Sequence, residues 1–224
     1  MKKILVTGGA GYIGSILTGK LLGEGYKVTV IDNLLYKQNS LLEYCANPNF
    51  DFIYGDCRNK NLIKENLKNT DIIIPLAAIV GFPACDRDPL SAKSINFDAV
   101  KMLNELRSKE QQIIYPTTNS GYGTTSGEVY CTEKTPLHPV SLYGQVKADA
   151  EKLLIESENT IAFRLATVFG MSPRMRIDLL VNDFTYQAIT NGSIILFQKH
   201  FKRNFIHVRF AKNPFLLILS FETI

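Results

Sequence analysis

No Cys-x-x-Cys pair occurs among the four cysteines, Cys45, Cys57, Cys85 and Cys131, and none of the three histidines, His138, His200 and His207, stands at metal-ligand spacing from another donor. These absences argue against a zinc site and against a disulfide framework, so the sequence predicts reduced thiols and no bound metal. Long apolar runs are missing as well. The strongest near either end, residues 215–221, is far short of the roughly 18 to 20 residues a membrane helix needs. The N-terminus enters a strand pattern without the layout of a signal peptide. The expectation is a cytoplasmic chain with no membrane partner. Charge of one sign is scarce too: 25 Lys and Arg face 21 Asp and Glu, a dispersed net +4 that is too mild to mark a nucleic-acid surface. Lys199, Lys202, Arg203, Arg209 and Lys212 form a basic cluster, but no aromatic spacing within it suggests base stacking.

What remains is an ordinary globular composition over 224 residues, 46% hydrophobic and 21% charged, which excludes a disordered tail, a collagen-like repeat and a coiled coil. Apolar runs at residues 3–7, 28–31, 50–54, 71–75, 112–115 and 161–165 read as strands, and helical spacing follows at 13–22, 91–108 and 141–157. The strands show little alternation, which suits a parallel sheet buried on both faces. Repeated strand then helix order predicts a Rossmann-type, doubly wound α/β sheet over residues 1–170. Residues 117–127 read as a Gly/Ser/Thr-rich loop. Past Gly170 the pattern loosens to a helix near 177–190 and short strands near 194–197 and 204–208, a partial region spanning 171–224.

Gly8, Gly11 and Gly14 lie between the first strand and the first helix at G-x-x-G-x-x-G spacing, with Tyr12 and Ile13 opening the helix between the last two. There a dinucleotide pyrophosphate can meet unpaired helix N–H groups. Gly8 would make the turn, Gly11 would let the backbone approach phosphate, and Gly14 would let the helix pack closely. Asp32, followed by Asn33, ends the second strand, eighteen positions beyond Gly14. Its carboxylate suits ribose hydroxyls and repels a 2′-phosphate, favouring NAD over NADP; Asp-Asn is also good turn chemistry. Asp56, before Cys57, follows the third strand on the same sheet edge and is a candidate for the adenine amino group, or a plain loop aspartate.

Tyr143 and Lys147 stand one helical turn apart, about 6 Å along the axis. A neighbouring ammonium and a positive nicotinamide ring both favour the phenolate, so the pair can take a proton from a substrate hydroxyl. Thr118, just past the fifth strand, offers a hydroxyl to the same oxygen.

The sequence resembles the extended short-chain dehydrogenase/reductases, and within them the NAD-dependent sugar-nucleotide epimerase/dehydratase group. Thr7 to Gly14, Asp32, Gly55-Asp56, Leu76-Ala77-Ala78, Asn96, the Thr118 loop ending in Tyr122-Gly123, Tyr143-Gly-Gln-Val-Lys147 and Arg203-Asn-Phe-Ile-His-Val208 carry the likeness. It implies that Leu76, Ala77, Ala78 and Asn96 line the NAD site and that Thr118, Tyr143 and Lys147 are catalytic. It also implies a nucleotide-sugar substrate whose hydroxyl, usually at C4, is oxidised to a ketone. Where dehydratases of this group follow the threonine with an Asp-Glu pair, this chain has Asn119-Ser120, neither of which titrates near neutrality. Epimerisation is therefore expected, with a sugar-nucleotide dehydratase or reductase as the alternative within the group. Asn119, Ser120, Asn182 and Arg203 are substrate-side candidates, together with Arg174 and Arg176, whose charges equally suit an exposed helix start. Family members commonly form homodimers through helices corresponding to residues 91–108 and 141–157. After Arg209 the group's usual aspartate and long helix are replaced by a stretch with Pro214, expected to disturb a helix, and an apolar run with no obvious packing partner. The resemblance thus implies an incomplete C-terminal substrate-binding lobe, and a second reading follows from it: a non-catalytic NAD-binding protein.

Overall fold

A computed structural model describes residues 1–124, 130–197, 199 and 202–221; residues 125–127 of the expected glycine-rich loop lie outside them. Six runs rich in β-branched and aromatic residues form β1 (Lys3–Thr7), β2 (Lys27–Asp32), β3 (Phe50–Tyr54), β4 (Ile72–Pro75), β5 (Gln112–Thr118) and β6 (Thr160–Leu165). All pair in parallel, in the order β3-β2-β1-β4-β5-β6. Chain order reverses direction at β1, so the crevice outside the carboxyl ends of β1 and β4 is the place where an open α/β sheet holds a ligand.

Helices cover both faces. On one, α1 (Tyr12–Gly23) buries Leu17 and Leu21 against Ile4, Val6 and Val30. On the other lie α2 (Lys60–Leu67), α5 (Ala99–Leu106) and α6 (Leu142–Ile155), burying Ile63, Leu103 and Leu154 against Leu5, Ile73 and Tyr115. Between β4 and α5 come α3 (Phe82–Arg87) and α4 (Pro89–Lys93). The helix expected over 91–108 is thus interrupted: a π-helical turn at Ser94–Asp98 separates α4 from α5. Capping follows the sequence, since Asn59, Asp88 and Ser141 each accept a backbone N–H at the start of α2, α4 and α6.

Beyond the sheet, β7 (Thr167–Phe169) pairs in parallel with β8 (Phe205–His207), with α7 (Leu180–Asn191) between them and α8 (Val208–Ala211) after. The strand expected near 194–197 does not form. Its residues are irregular and exposed, because β8 takes the register beside β7 and no described strand runs along 194–197 to satisfy its backbone groups.

The expectation for the end of the chain is also corrected. Residues Asn213–Phe221 form α9, with Pro214 in its first turn, where a missing N–H costs nothing. Phe215 and Leu219 are fully buried in the α1-side core, and the Phe215 ring meets Phe163 edge to face at 4.7 Å. The apolar run has a partner, and it is the main sheet. Among the described residues no helix is long and apolar enough to cross a membrane.

Candidate active site

A cavity of about 310 Å³ opens along the carboxyl edge of the sheet. Its floor is the turn from β1 into α1, where Gly8, Gly11, Tyr12, Ile13 and Gly14 all reach the wall. Gly8 has φ +75°, and a Cβ there would come within 2.4 Å of the Ala77 backbone nitrogen. Only glycine lets the turn pass this close to the chain leaving β4. At Gly14 an added Cβ would strike Gly8 and Gly9, so this glycine seats α1 on the turn. A Cβ on Gly11 would meet nothing but the Gly8 carbonyl oxygen, at 3.1 Å, and no side chain caps the helix start that Gly11 begins. The first N–H groups of α1 are left for an anion from outside.

Asp32 stands at the end of β2 in the same cavity, accepting from Ala10 N–H at 3.0 Å and Leu34 N–H at 2.8 Å. Burial pushes its carboxyl above the ordinary range, against those two bonds and the charge of Arg174. Asn33, Asp56, Cys57, Leu76, Ala77 and Ala78 also line the wall. The Asp56 carboxylate is already committed, since Arg58 grips it with Nε at 2.9 Å and Nη2 at 2.7 Å and draws its pKa down. Burial pushes the Cys57 thiol up to about 12, which makes it a wall and not a nucleophile.

The other side of the cavity carries the proton-transfer groups. Thr118 ends β5, and its hydroxyl donates to Ser120 Oγ at 3.1 Å. Tyr143 lies in the first turn of α6 and Lys147 one turn on, both facing the cavity with Asn119 and Ser120. Burial raises the Tyr143 phenol to about 12, as does the nearby Cys85, while Arg176 and a hydrogen bond with Thr118 pull it back. Lys147 Nζ donates to the Pro116 carbonyl at 2.8 Å and sits 3.9 Å from the centroid of the Tyr115 ring. Burial pulls its pKa down to about 7, with Glu151 opposing. The ammonium expected to steady the phenolate is therefore itself disfavoured in the free cavity, because both groups lose water together.

Three expected residues stand elsewhere. Asn96 lies in the π-helical turn, fully buried, and clamps the Ile79 backbone with Nδ2 to its oxygen and Oδ1 from its nitrogen, both at 2.9 Å. Ile79 is at the cavity wall, and Asn96 supports it from behind. Asn182 spends its amide inside the protein: it accepts from Gly170 N–H and donates to the Arg176 carbonyl and Tyr12 Oη. Arg203 is exposed and away from the wall, next to Asn204, whose Oδ1 accepts from Asn119 Nδ2. Arg174 and Arg176, the other two substrate-side candidates, do reach the wall from the loop before α7, and the cavity gains Tyr36 from the loop after β2. Nothing in the sequence around Tyr36 marked it.

The residues fit a dinucleotide: an open glycine cradle at a helix start, a carboxylate at the next strand end, and a wall of small apolar residues between them. A model of the NAD-dependent epimerase/dehydratase family matches residues 4–220. A putative UDP-arabinose 4-epimerase from Arabidopsis thaliana is 30% identical over 188 residues, 78% of this chain and 45% of that protein. UDP-glucuronic acid decarboxylase 1 of Xenopus tropicalis is 26% identical over 88% of this chain and 48% of its own. Among solved structures, UDP-glucuronic acid 4-epimerase from Bacillus cereus, in complex with UDP-glucuronic acid and NAD, superposes with a TM-score of 0.85 at 28% identity, covering 97% of this chain and 73% of the other. The chain spans about half the length of these two curated relatives.

Proposed function

The chain belongs to the NAD-dependent epimerase/dehydratase family, and from that premise we propose that it is a sugar-nucleotide epimerase that oxidises a sugar hydroxyl, at C4, and reduces the ketone back. The observation that carries this reading is the meeting of Thr118, Tyr143 and Lys147 with the Gly8–Gly14 turn and Asp32 on one cavity. NAD, when bound, supplies a positively charged ring able to accept a hydride. That charge adds to Arg176 and Thr118 in offsetting the burial that holds Tyr143 protonated. Tyr143 Oη takes the proton from the C4 hydroxyl as the carbonyl forms, and returns it when the carbonyl is reduced. Thr118 holds that oxygen by hydrogen bond, and Lys147 fixes the β5 end by bonding Pro116. Gly11 and the α1 start would hold the pyrophosphate, Asp32 and Asn33 the adenosine ribose, and Leu76, Ala77 and Ala78 would line the site beyond.

On the substrate side, Arg176 is the candidate for the nucleotide diphosphate, held in place by Asp178. Dehydration across C5 and C6 needs a titrating acid and base after Thr118. Here Asn119 bonds Asn204 and Ser120 bonds Thr118, so epimerisation is the better reading.

The test is to incubate the purified chain with NAD and UDP-, GDP-, CDP- and dTDP-sugars, following NADH absorbance and sugar products. Turnover of at least one epimer pair is expected. Tyr143→Phe should still bind NAD while turnover falls by about 10²- to 10⁴-fold, the usual worth of an acid–base group. NAD binding with no turnover of any sugar would leave a binding protein and overturn the enzyme reading.

A further inference from the structure

Most charged groups on the cavity wall are matched within the chain: Asp32 by two backbone N–H groups, Asp56 by Arg58, Arg176 by Asp178. Arg174 is the exception. The residue is 9% exposed, its Nε has no hydrogen-bond partner, and the guanidinium carbon lies 3.7 Å from the centroid of the Tyr36 ring. A buried guanidinium stacked on an aromatic face keeps its in-plane Nε–H for an acceptor, and leaving that donor unmet is costly.

The loop that carries Arg174 is fastened to the cofactor cradle. Tyr12 Oη donates to the Gly170 carbonyl at 2.5 Å, and Ser172 Oγ donates to the Tyr12 carbonyl at 2.7 Å. Ser172 Oγ also lies 3.0 Å from Ser15 Oγ, and Asn182 ties Gly170 N–H to Tyr12 Oη. Arg174 is thus positioned relative to the start of α1 by bonds to α1 itself, and it shares the cavity with Gly11 and Asp32.

We propose that Arg174 is a phosphate-binding residue for the adenosine half of the dinucleotide, its guanidinium pairing with the 5′-diphosphate while Tyr36 holds its plane. The proposal rests on the cofactor reading above and adds a contact from the segment after the sheet. The 5′-diphosphate is favoured over a 2′-phosphate because Asp32 puts negative charge where a 2′-phosphate would sit, while the α1 start supplies further N–H donors to the diphosphate.

Calorimetric and NMR titrations with ADP, NAD, adenosine and 2′,5′-ADP, on wild type, Arg174→Ala and Arg174→Lys, test it. Arg174→Ala should weaken ADP and NAD roughly 10- to 100-fold, the range for losing a charge-assisted hydrogen bond, and leave adenosine nearly unchanged. Arg174→Lys should recover part of the ADP loss, since it keeps the charge without the fork. The adenosine titration reports whether the variant pocket is intact. Equal losses for adenosine and ADP would mean a purely structural role and overturn the proposal. So would unchanged ADP affinity, or a wild-type preference for 2′,5′-ADP that vanishes in Arg174→Ala. Wild-type protein that binds neither ADP nor NAD would instead overturn the cofactor reading, and this proposal with it.

Discussion

Lys147 and Tyr143 share one face of α6, and burial drives them in opposite directions, the lysine down to about 7 and the tyrosine up to about 12. Each shift favours the neutral form, so the free cavity resists the phenolate that proton transfer requires until a cation enters it. The lysine also leaves a mark on stability. Its ordinary value is near 10.5, so between about pH 7 and 10.5 the unfolded chain binds more protons than the folded one, and stability rises with pH across that window. Urea unfolding of wild type and Lys147→Met at a series of pH values should show wild type gaining relative to the variant as pH climbs from 7 towards 10. Parallel curves would show that Lys147 is not buried as described. The spacing of Tyr143 and Lys147 was legible in the sequence because four residues make one helical turn. The destination of the ammonium was not, since Pro116 and the Tyr115 ring reach Lys147 only through the packing of α6 on β5.

At the scale of elements, the C-terminal segment shows where pattern reading stops. Residues 215–221 read as an apolar run without a partner, yet α9 inserts Phe215 and Leu219 beside Leu17 and Leu21 of α1. Phe215→Ala should therefore destabilise the whole sheet domain by about 3 to 5 kcal/mol, the cost of emptying a buried aromatic site. Equilibrium urea unfolding gives the number, and a loss below about 1 kcal/mol would mean that α9 does not dock there. The strands β1 to β6 were legible because double-sided burial demands short, apolar, β-branched runs. α2 was missed, since only Ile63 and Leu67 are buried in an otherwise polar Lys60–Leu67. β7 has three residues, too few to set a period. The same limit applies to the site: groups at strand ends, such as Asp32 and Thr118, follow from the strands. Tyr36 and Arg174 come from loops whose meeting is decided in three dimensions, and Asn182 turned inward to brace one of those loops.

For the whole molecule, the reversal of strand order at β1 and β4 creates one crevice, and the chain fills its two sides differently. The β1–α1 turn and the β2 end offer donors and a carboxylate that fit a dinucleotide; the β5 end and α6 bring a hydroxyl and a phenol to the other side, with the Lys147 amine bonded to Pro116 beneath them. A fold of this kind hosts several reactions, and relatives of this chain include a decarboxylase as well as an epimerase. In the proposed reading the choice between outcomes rests on Asn119 and Ser120, which offer neither an acid nor a base for dehydration, so the hydrogen lifted from C4 is expected to return to C4. The most direct measurement follows that hydrogen. A nucleotide sugar that the protein turns over, deuterated at C4, should give an epimer carrying all of the deuterium at C4 by NMR and mass spectrometry. Deuterium at C6, or its loss to solvent, would contradict the account.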